Sequence, residues 1–495
     1  MSHDKAAGGE APPERGPAPG LARQLGLFDA TMIVMGGIVG VGIFMNPYVV
    51  AQRVGTPAMI LGAWIAGGFI ALAGAFIYAE LAARMPAVGG QYAYLREAYH
   101  PGVAFLYGWV LLLVIQTGGM AAVAVTFARY SLELARVPAG SAAYDGLVAA
   151  LALGALTLVN CLGVKTGSAV QSALMVGKIV IIAMLVFCGW LLVRGAPGFD
   201  VLARPWLDRP VSFDLFTAFG AAMVPVLFAY GGWQTSNFVA GEVRNPSRNM
   251  PRALVAGVLG VILLYLSVNY VCVRAFGPAG LEHATAPASA VMQLALGARG
   301  SALIAAGIAV SALGFLSQAI LTAPRVYFAM ADDGLFFRSV AKISPRTHVP
   351  VVAIVLQGVW AIVVALSGRY DQILNYVVSM DFIFMGLSAT CLFVFRRREV
   401  DGNSESGVGS RKEVGPVLQS SIVNPSLRSG PSSISYRVPG HPCTTLFFVA
   451  ACWLVVANAI YRYPSNTLIG MAILAAGVPM YFFWRRQLKG VGSRE

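Results

Sequence analysis

Residues 26–44 read GLFDATMIVMGGIVGVGIF, and residues 228–235 read FAYGGWQT with Pro225 just ahead of them. Both strings lie inside apolar runs long enough to cross a bilayer, for which a helix needs about 20 residues. The first run is punctuated by Gly36, Gly37, Gly40 and Gly42, the second by paired glycines. One glycine cluster in a membrane helix usually marks a packing surface between helices. Two clusters at matching places in successive sets of helices mark interrupted helices around a transport site. The positions of the two strings along the chain therefore decide the fold.

Working outward by the same length rule, apolar spans fall near 28–50, 57–83, 102–130, 143–162, 168–193, 213–241, 251–273, 298–330, 349–367, 372–395, 444–460 and 465–484. The glycine strings sit in spans one and six. They take the same place in two sets of five, over 28–193 and 213–395. Five is odd, so the second set enters the membrane from the opposite side, and the expected fold is an all-α membrane protein with twelve transmembrane helices and a 5+5 inverted repeat. Short amphipathic helices are expected at 91–100 and 285–297. Residues 25–395 form the expected core and 443–485 the last two spans. The tails 1–24 and 486–495 and the Ser-, Gly- and Pro-rich stretch 396–442 have too few large apolar side chains to offset ordering entropy, so 1–24 and 396–442 are expected to be disordered.

Composition agrees. Hydrophobic residues make up 57% and charged residues 12% of the 495 positions, against about 25% charged in soluble domains. Mean hydropathy is +0.70. The formal charge of +13 suggests nucleic acid, but the basic residues lie in loops between apolar runs rather than along one stripe, so no nucleic-acid partner is expected. With both termini inside, 24 of the 35 Lys and Arg fall on the cytoplasmic side and 10 outside, leaving Lys178 within the membrane. The first apolar run is long enough to span and no cleavable signal peptide precedes it. The expected location is the cytoplasmic membrane, multi-pass, with the lipid bilayer as surroundings. Six cysteines form no CxxC pair and no Cys/His cluster, so neither a metal nor another cofactor is expected. None lies in a clearly extracellular loop, and a disulfide-linked accessory subunit is not expected. No HExxH, paired intramembrane Asp or neighbouring Ser/His pair occurs, so the chain does not read as an enzyme.

An unwound helix frees N–H and C=O groups that are costly in lipid unless paired. A zwitterion supplies both partners. Its carboxylate fits the N–H groups of Gly40, Val41 and Gly42 at the start of a half-helix, and its ammonium fits the carbonyls of Ile38, Val39, Phe228 and Ala229. Tyr230, Gly231 and Trp233 complete the second break, with Trp233 as a pocket wall, and Gln116 and Thr117 in span three are side-chain contacts to consider. No acidic residue lies in either break, which favours neutral amino acids.

At these residues the chain resembles the amino acid–polyamine–organocation superfamily, most nearly its L-amino-acid-transporter-like permeases. The resemblance runs from about 22 to 398 and includes YAELAARMPAVGGQYAYL at 78–95, FAYGGWQTSNFVAGEVRNPSRNMPRA at 228–253, APRVYFAMADDGLF at 323–336 and SMDFIFMGLSATCLFVFRRR at 379–398. It implies the leucine-transporter fold with broken helices 1 and 6, alternating access and amino acids as substrates. Secondary transport as a proton symporter or as an exchanger of counter-substrates follows, with a membrane-embedded sensor that binds without transporting as the alternative. Members commonly have Ser or Thr where Val41 stands, the 396–442 insertion is atypical, and Asp332-Asp333-Gly334 replaces a more usual Arg-Asp-Gly.

Two charges fall deep in spans. Lys178 lies about ten residues into span five, about 15 Å down, where a lysine costs at least about 2.5–3.5 kcal/mol and needs a partner. The resemblance places it where sodium-coupled relatives hold sodium, and it is read as a tether from span five to the break in span one. The other reading is a lysine facing a water-filled vestibule. Asp381, as deep in span ten, is either a proton-coupling carboxylate or the cap of a polar network. Glu80 and Glu242, near cytoplasmic ends, are either paired with loop arginines or solvated.

Overall fold

The computed structural model describes residues 21–137, 142–195, 212–367, 370–406, 435–462 and 464–492. Among them the chain is all-helical, with one isolated parallel bridge between Leu25 and Val243. The helices are α1 (Leu27–Ile38), α2 (Gly42–Val54), α3 (Pro57–Arg84), α4 (Gln91–Ala98), α5 (Pro101–Val110), α6 (Gln116–Leu134), α7 (Ala142–Cys161), α8 (Val164–Leu191), α9 (Phe213–Tyr230), α10 (Pro246–Leu281), α11 (Pro287–Leu296), α12 (Ala298–Thr322), α13 (Pro324–Asp332), α14 (Val351–Leu366), α15 (Tyr370–Ser406), α16 (Cys443–Arg462) and α17 (Pro464–Gly492). A π-helical turn, Leu111–Ile115, joins α5 to α6 without a break, and a 3-10 segment, Trp233–Glu242, follows α9.

Local chemistry sets many of these starts. Proline stands at the first turn of α3, α5, α10, α11 and α13, where its missing N–H costs nothing. Thr56 caps α3 and Ser212 caps α9, each accepting from an N–H three residues on. The short helices expected at 91–100 and 285–297 are α4 and α11. α15 runs past Arg396 to Ser406, so the stretch expected to be disordered from 396 begins as helix. Of the rest of that stretch, 407–434 lies outside the described residues, as do 1–20 of the N-terminal tail.

Among the described residues ten helices, some of them consecutive helical segments joined end to end, are long and apolar enough to cross a bilayer. The pair α1 and α2, bent by 41° across a break, makes an eleventh if counted as one span. The expected ninth span corresponds to α14. At 16 residues it reaches about 24 Å at 1.5 Å per residue, short of about 30 Å of hydrocarbon.

The interrupted rods lie side by side at the centre. α1 packs on the 3-10 segment, α2 on α9, and α10 lies along both α3 and α1. α12 packs against α6 and α8, and α15 against α16, α6 and α17. The outer helices keep many large apolar side chains exposed, among them Leu151, Leu158, Phe187, Phe216 and Leu263. That is the pattern of lipid-facing surface, because hydrocarbon solvates such residues and water does not.

Candidate functional site

The first break is short. α1 ends at Ile38, Val39 is extended (φ −73°, ψ 94°), and α2 begins at Gly42. A helix end leaves its last four carbonyls and its first four N–H groups without intrahelical partners. Side chains from three neighbouring helices, α8, α10 and α12, donate to carbonyls of α1 and of the break. Lys178 Nζ on α8 donates to Val39 O and reaches Gly36 O at 3.5 Å. Tyr265 Oη on α10 donates to Ile38 O at 3.0 Å and lies 3.2 Å from Ala229 O. Ser311 Oγ on α12 donates to Gly40 O at 3.0 Å, and Gln171 Nε2 on α8 donates to Met32 O at 3.2 Å. One tyrosine hydroxyl thus joins the carbonyls of both breaks.

The second break follows Tyr230. Gly232 adopts φ +102°, in the left-handed region that favours glycine, and the chain continues as the 3-10 segment. Here the two backbones touch. A Cβ on Gly37 would lie 2.6 Å from the Gly232 carbonyl oxygen, and one on Gly232 would meet Gly37 just as closely. Thr235 Oγ1 donates to Gly232 O at 2.7 Å, and Gln318 Nε2 on α12 donates to Thr235 Oγ1 at 2.6 Å. Gln234 Oε1 accepts from Gly232 N at 2.9 Å, while its Nε2 lies 3.2 Å from Asp381 Oδ2 on α15.

A cavity of about 180 Å³ opens between the breaks, α6, α12 and α15. Of the residues singled out in the sequence, Ile38, Gly40, Val41, Gly42, Phe228, Ala229, Gly231, Gln116 and Asp381 line it. Four do not. Val39 is fully buried, with its carbonyl on Lys178. Tyr230 is buried against Trp64 and Tyr265. Thr117 donates back to Leu112 O at 2.7 Å. Trp233, expected as a wall, is 1% exposed and packs edge-on to Tyr78, with ring centroids 4.9 Å apart, and against Phe448. Lys178 likewise stands behind the break, not on the cavity surface, and is fully buried rather than facing a vestibule. Sequence reasoning passed over Gln234, Thr235, Phe238, Phe315 and Gln318, which also line the cavity. The signals available were the polar Gln234 and Thr235 directly after the second glycine pair and Gln318 inside an apolar run.

Glu80 and Glu242 are paired, not solvated. Arg325 on α13 grips Glu242 bidentately at 2.6 and 3.1 Å, with both side chains fully buried. Glu80, also fully buried, accepts from Arg84, Arg396 and the Val438 N–H. At the same end of the molecule Arg96 and Tyr92 converge on Asp333, the second carboxylate of the Asp-Asp-Gly string.

A family model described as amino acid permease matches residues 25–481 of this chain. The chain belongs to the amino acid permease family. The permease is 28% identical to the serine/threonine exchanger SteT of Bacillus subtilis (strain 168), over 94% of this chain and 98% of that one. It is 28% identical to the human large neutral amino acids transporter small subunit 2, over 97% of this chain and 85% of the relative. It is 30% identical to the human b(0,+)-type amino acid transporter 1, over 77% and 78%. These relatives are transporters by name, not enzymes. One of them is named a small subunit, so the expectation that a disulfide-linked accessory subunit is absent is without support.

Proposed function

We propose that this permease carries amino acids across the cytoplasmic membrane by alternating access, as a secondary transporter working by proton symport or by exchange. The supporting observation is the pair of interrupted helices meeting backbone to backbone beside a cavity, with the N–H groups that lead into α2 among the residues of its wall. Those N–H groups, at Gly40, Val41 and Gly42, take the substrate carboxylate, where the helix-end field adds about 0.3–1 kcal/mol, and up to about 2 when partly buried. Val41 offers only its N–H, with no hydroxyl beside it. The ammonium goes to carbonyl oxygens of the breaks that still have a free lone pair. Those of Ile38 and Ala229, already held in place by Tyr265, are fixed rather than flexible acceptors.

In this reading α1 with α2 and α9 with the 3-10 segment are the broken helices 1 and 6 of a twelve-span, 5+5 inverted-repeat fold, and both termini are cytoplasmic. Lys178 ties the break to α8, so that α1 and α8 move together as the cavity changes sides. Neutral substrates were expected because neither break contains an acid. Asp381 on the cavity wall removes that ground.

The test is counterflow. Purified permease in proteoliposomes preloaded with one amino acid should accumulate the same labelled amino acid transiently, in at least one case among the twenty. Saturable binding without counterflow for any of them would overturn the transport reading.

A further inference from the structure

We propose that Asp381 is the side-chain subsite of this cavity, selecting amino acids whose side chain ends in an ammonium or guanidinium group. The inference rests on the transport reading above and adds the substrate class to it. Asp381 lies in α15 and contributes to the cavity wall alongside Val377 and Phe382. Among the described residues its carboxylate has one partner, the neutral Gln234 amide, at 3.2 and 3.5 Å from its two oxygens. An ionised carboxylate has room for about four donors, so the Gln234 amide fills only part of its accepting capacity.

The neighbours offer no cation. Among the described residues that line the cavity there is no Lys, Arg or His. Lys178, the nearest deep ammonium in the sequence reading, is occupied by the Val39 and Gly36 carbonyls behind the break. Tyr107, which also lines the cavity, gives its hydroxyl proton to Gln91 Oε1 at 2.8 Å instead of to Asp381. The remaining wall near it is largely apolar. A carboxylate in such surroundings is costly unless a counter-charge joins it, and in an occupied cavity the substrate is the available source. Gln234 also orients the group: its oxygen is fixed by the Gly232 N–H, so its amide protons are held toward Asp381. The second break is thereby linked to the side-chain subsite through one residue.

Lysine and norleucine test this, because they share a backbone and chain length and differ by the terminal ammonium. Half-maximal concentrations are read from ligand-induced thermal stabilisation of the purified full-length permease. Lysine should bind at least about tenfold more tightly than norleucine, the low end for a hydrogen bond to a charged group. In Asp381→Asn that ratio should fall to within about threefold, with an unliganded melting temperature close to that of the wild type. Equal or tighter binding of norleucine to the wild type overturns the proposal, and this arm needs no variant to fold. A ratio unchanged in Asp381→Asn also overturns it, as does equal loss of both ligands, which would assign the carboxylate to the α-ammonium they share. If none of the twenty amino acids shifts the wild-type melting temperature, the transport reading itself falls and the subsite with it.

Discussion

The cost of burying Lys178 is offset by carbonyls that the break in α1 sets free. A lysine ten residues into an apolar run has to find acceptors, and an interrupted helix is where acceptors are. Replacing it by methionine keeps most of the volume but leaves Gly36 and Val39 oxygens in a dry site. A buried acceptor left unsatisfied costs about 1–3 kcal/mol, so counterflow by Lys178→Met should fall at least about tenfold while the protein still elutes as a single species in detergent. Counterflow within twofold of wild type would reject the tether. Gly232 makes a second residue-scale demand. Alanine there must adopt φ +102° and also meet the Gly37 backbone, so Gly232→Ala should lower the apparent melting temperature by the equivalent of about 1–3 kcal/mol. Gly220→Ala is the matched control. It stands in α9 with nothing within 4 Å of the added carbon, and alanine in an open helical site is neutral or favourable by up to about 1 kcal/mol. Equal melting temperatures for the two variants would show that the backbones do not touch.

Between elements, the tie that stands out is Arg325 to Glu242, which joins α13 to the 3-10 segment below the second break. Removing one partner of a fully buried pair costs about 3–5 kcal/mol, because the other charge is left stranded, whereas replacing both by apolar residues is often neutral. Glu242→Gln should therefore melt well below wild type, and Glu242→Leu combined with Arg325→Met should recover most of the loss. A double variant no better than the single would show that the pair contributes net attraction rather than mutual compensation. This scale also separates what could be read in the sequence from what could not. Helix lengths, α4 and α11 followed from apolar runs and their turn residues. The seats of Tyr265 and Ser311 did not, since a hydroxyl in an apolar run looks the same facing lipid, a neighbour or a break. Trp233 was misplaced for a related reason. Helical phase cannot be carried through Gly231 and Gly232 into a segment with three residues per turn, so the tryptophan turns toward Tyr78 and Phe448 and away from the cavity. Asp381 could be located in depth from its run, but its approach to Gln234 needed the packing of α15.

For the whole molecule the question that matters is parity. Among the described residues ten candidate spans and the bent pair make eleven, and α14 decides whether there is a twelfth. Its 16 residues fall about 6 Å short of a bilayer's hydrocarbon thickness. Pro350 precedes it and Ser367 follows it, however, and short helices are accommodated by local thinning of the bilayer at fractions of a kcal/mol per Å. The basic residues favour crossing. With twelve spans both Arg338, Lys342 and Arg346 before α14 and Arg396–Arg398 near the end of α15 are cytoplasmic. If α14 did not cross, the clusters before α14 and after α15 would lie on opposite faces, placing one strongly basic group outside, against the positive-inside bias. The two arrangements differ in a measurable way, because an odd count puts the termini on opposite sides. Cysteine introduced at Ser2 or at Ser493, in a background with the six native cysteines replaced by alanine or serine, should resist a membrane-impermeant maleimide in intact cells. Both should label fully once the membrane is permeabilised. Labelling of one terminus but not the other in intact cells would exclude twelve spans. It would also remove the inverted symmetry that makes spans one and six counterparts, leaving the meeting of the two breaks in need of another origin.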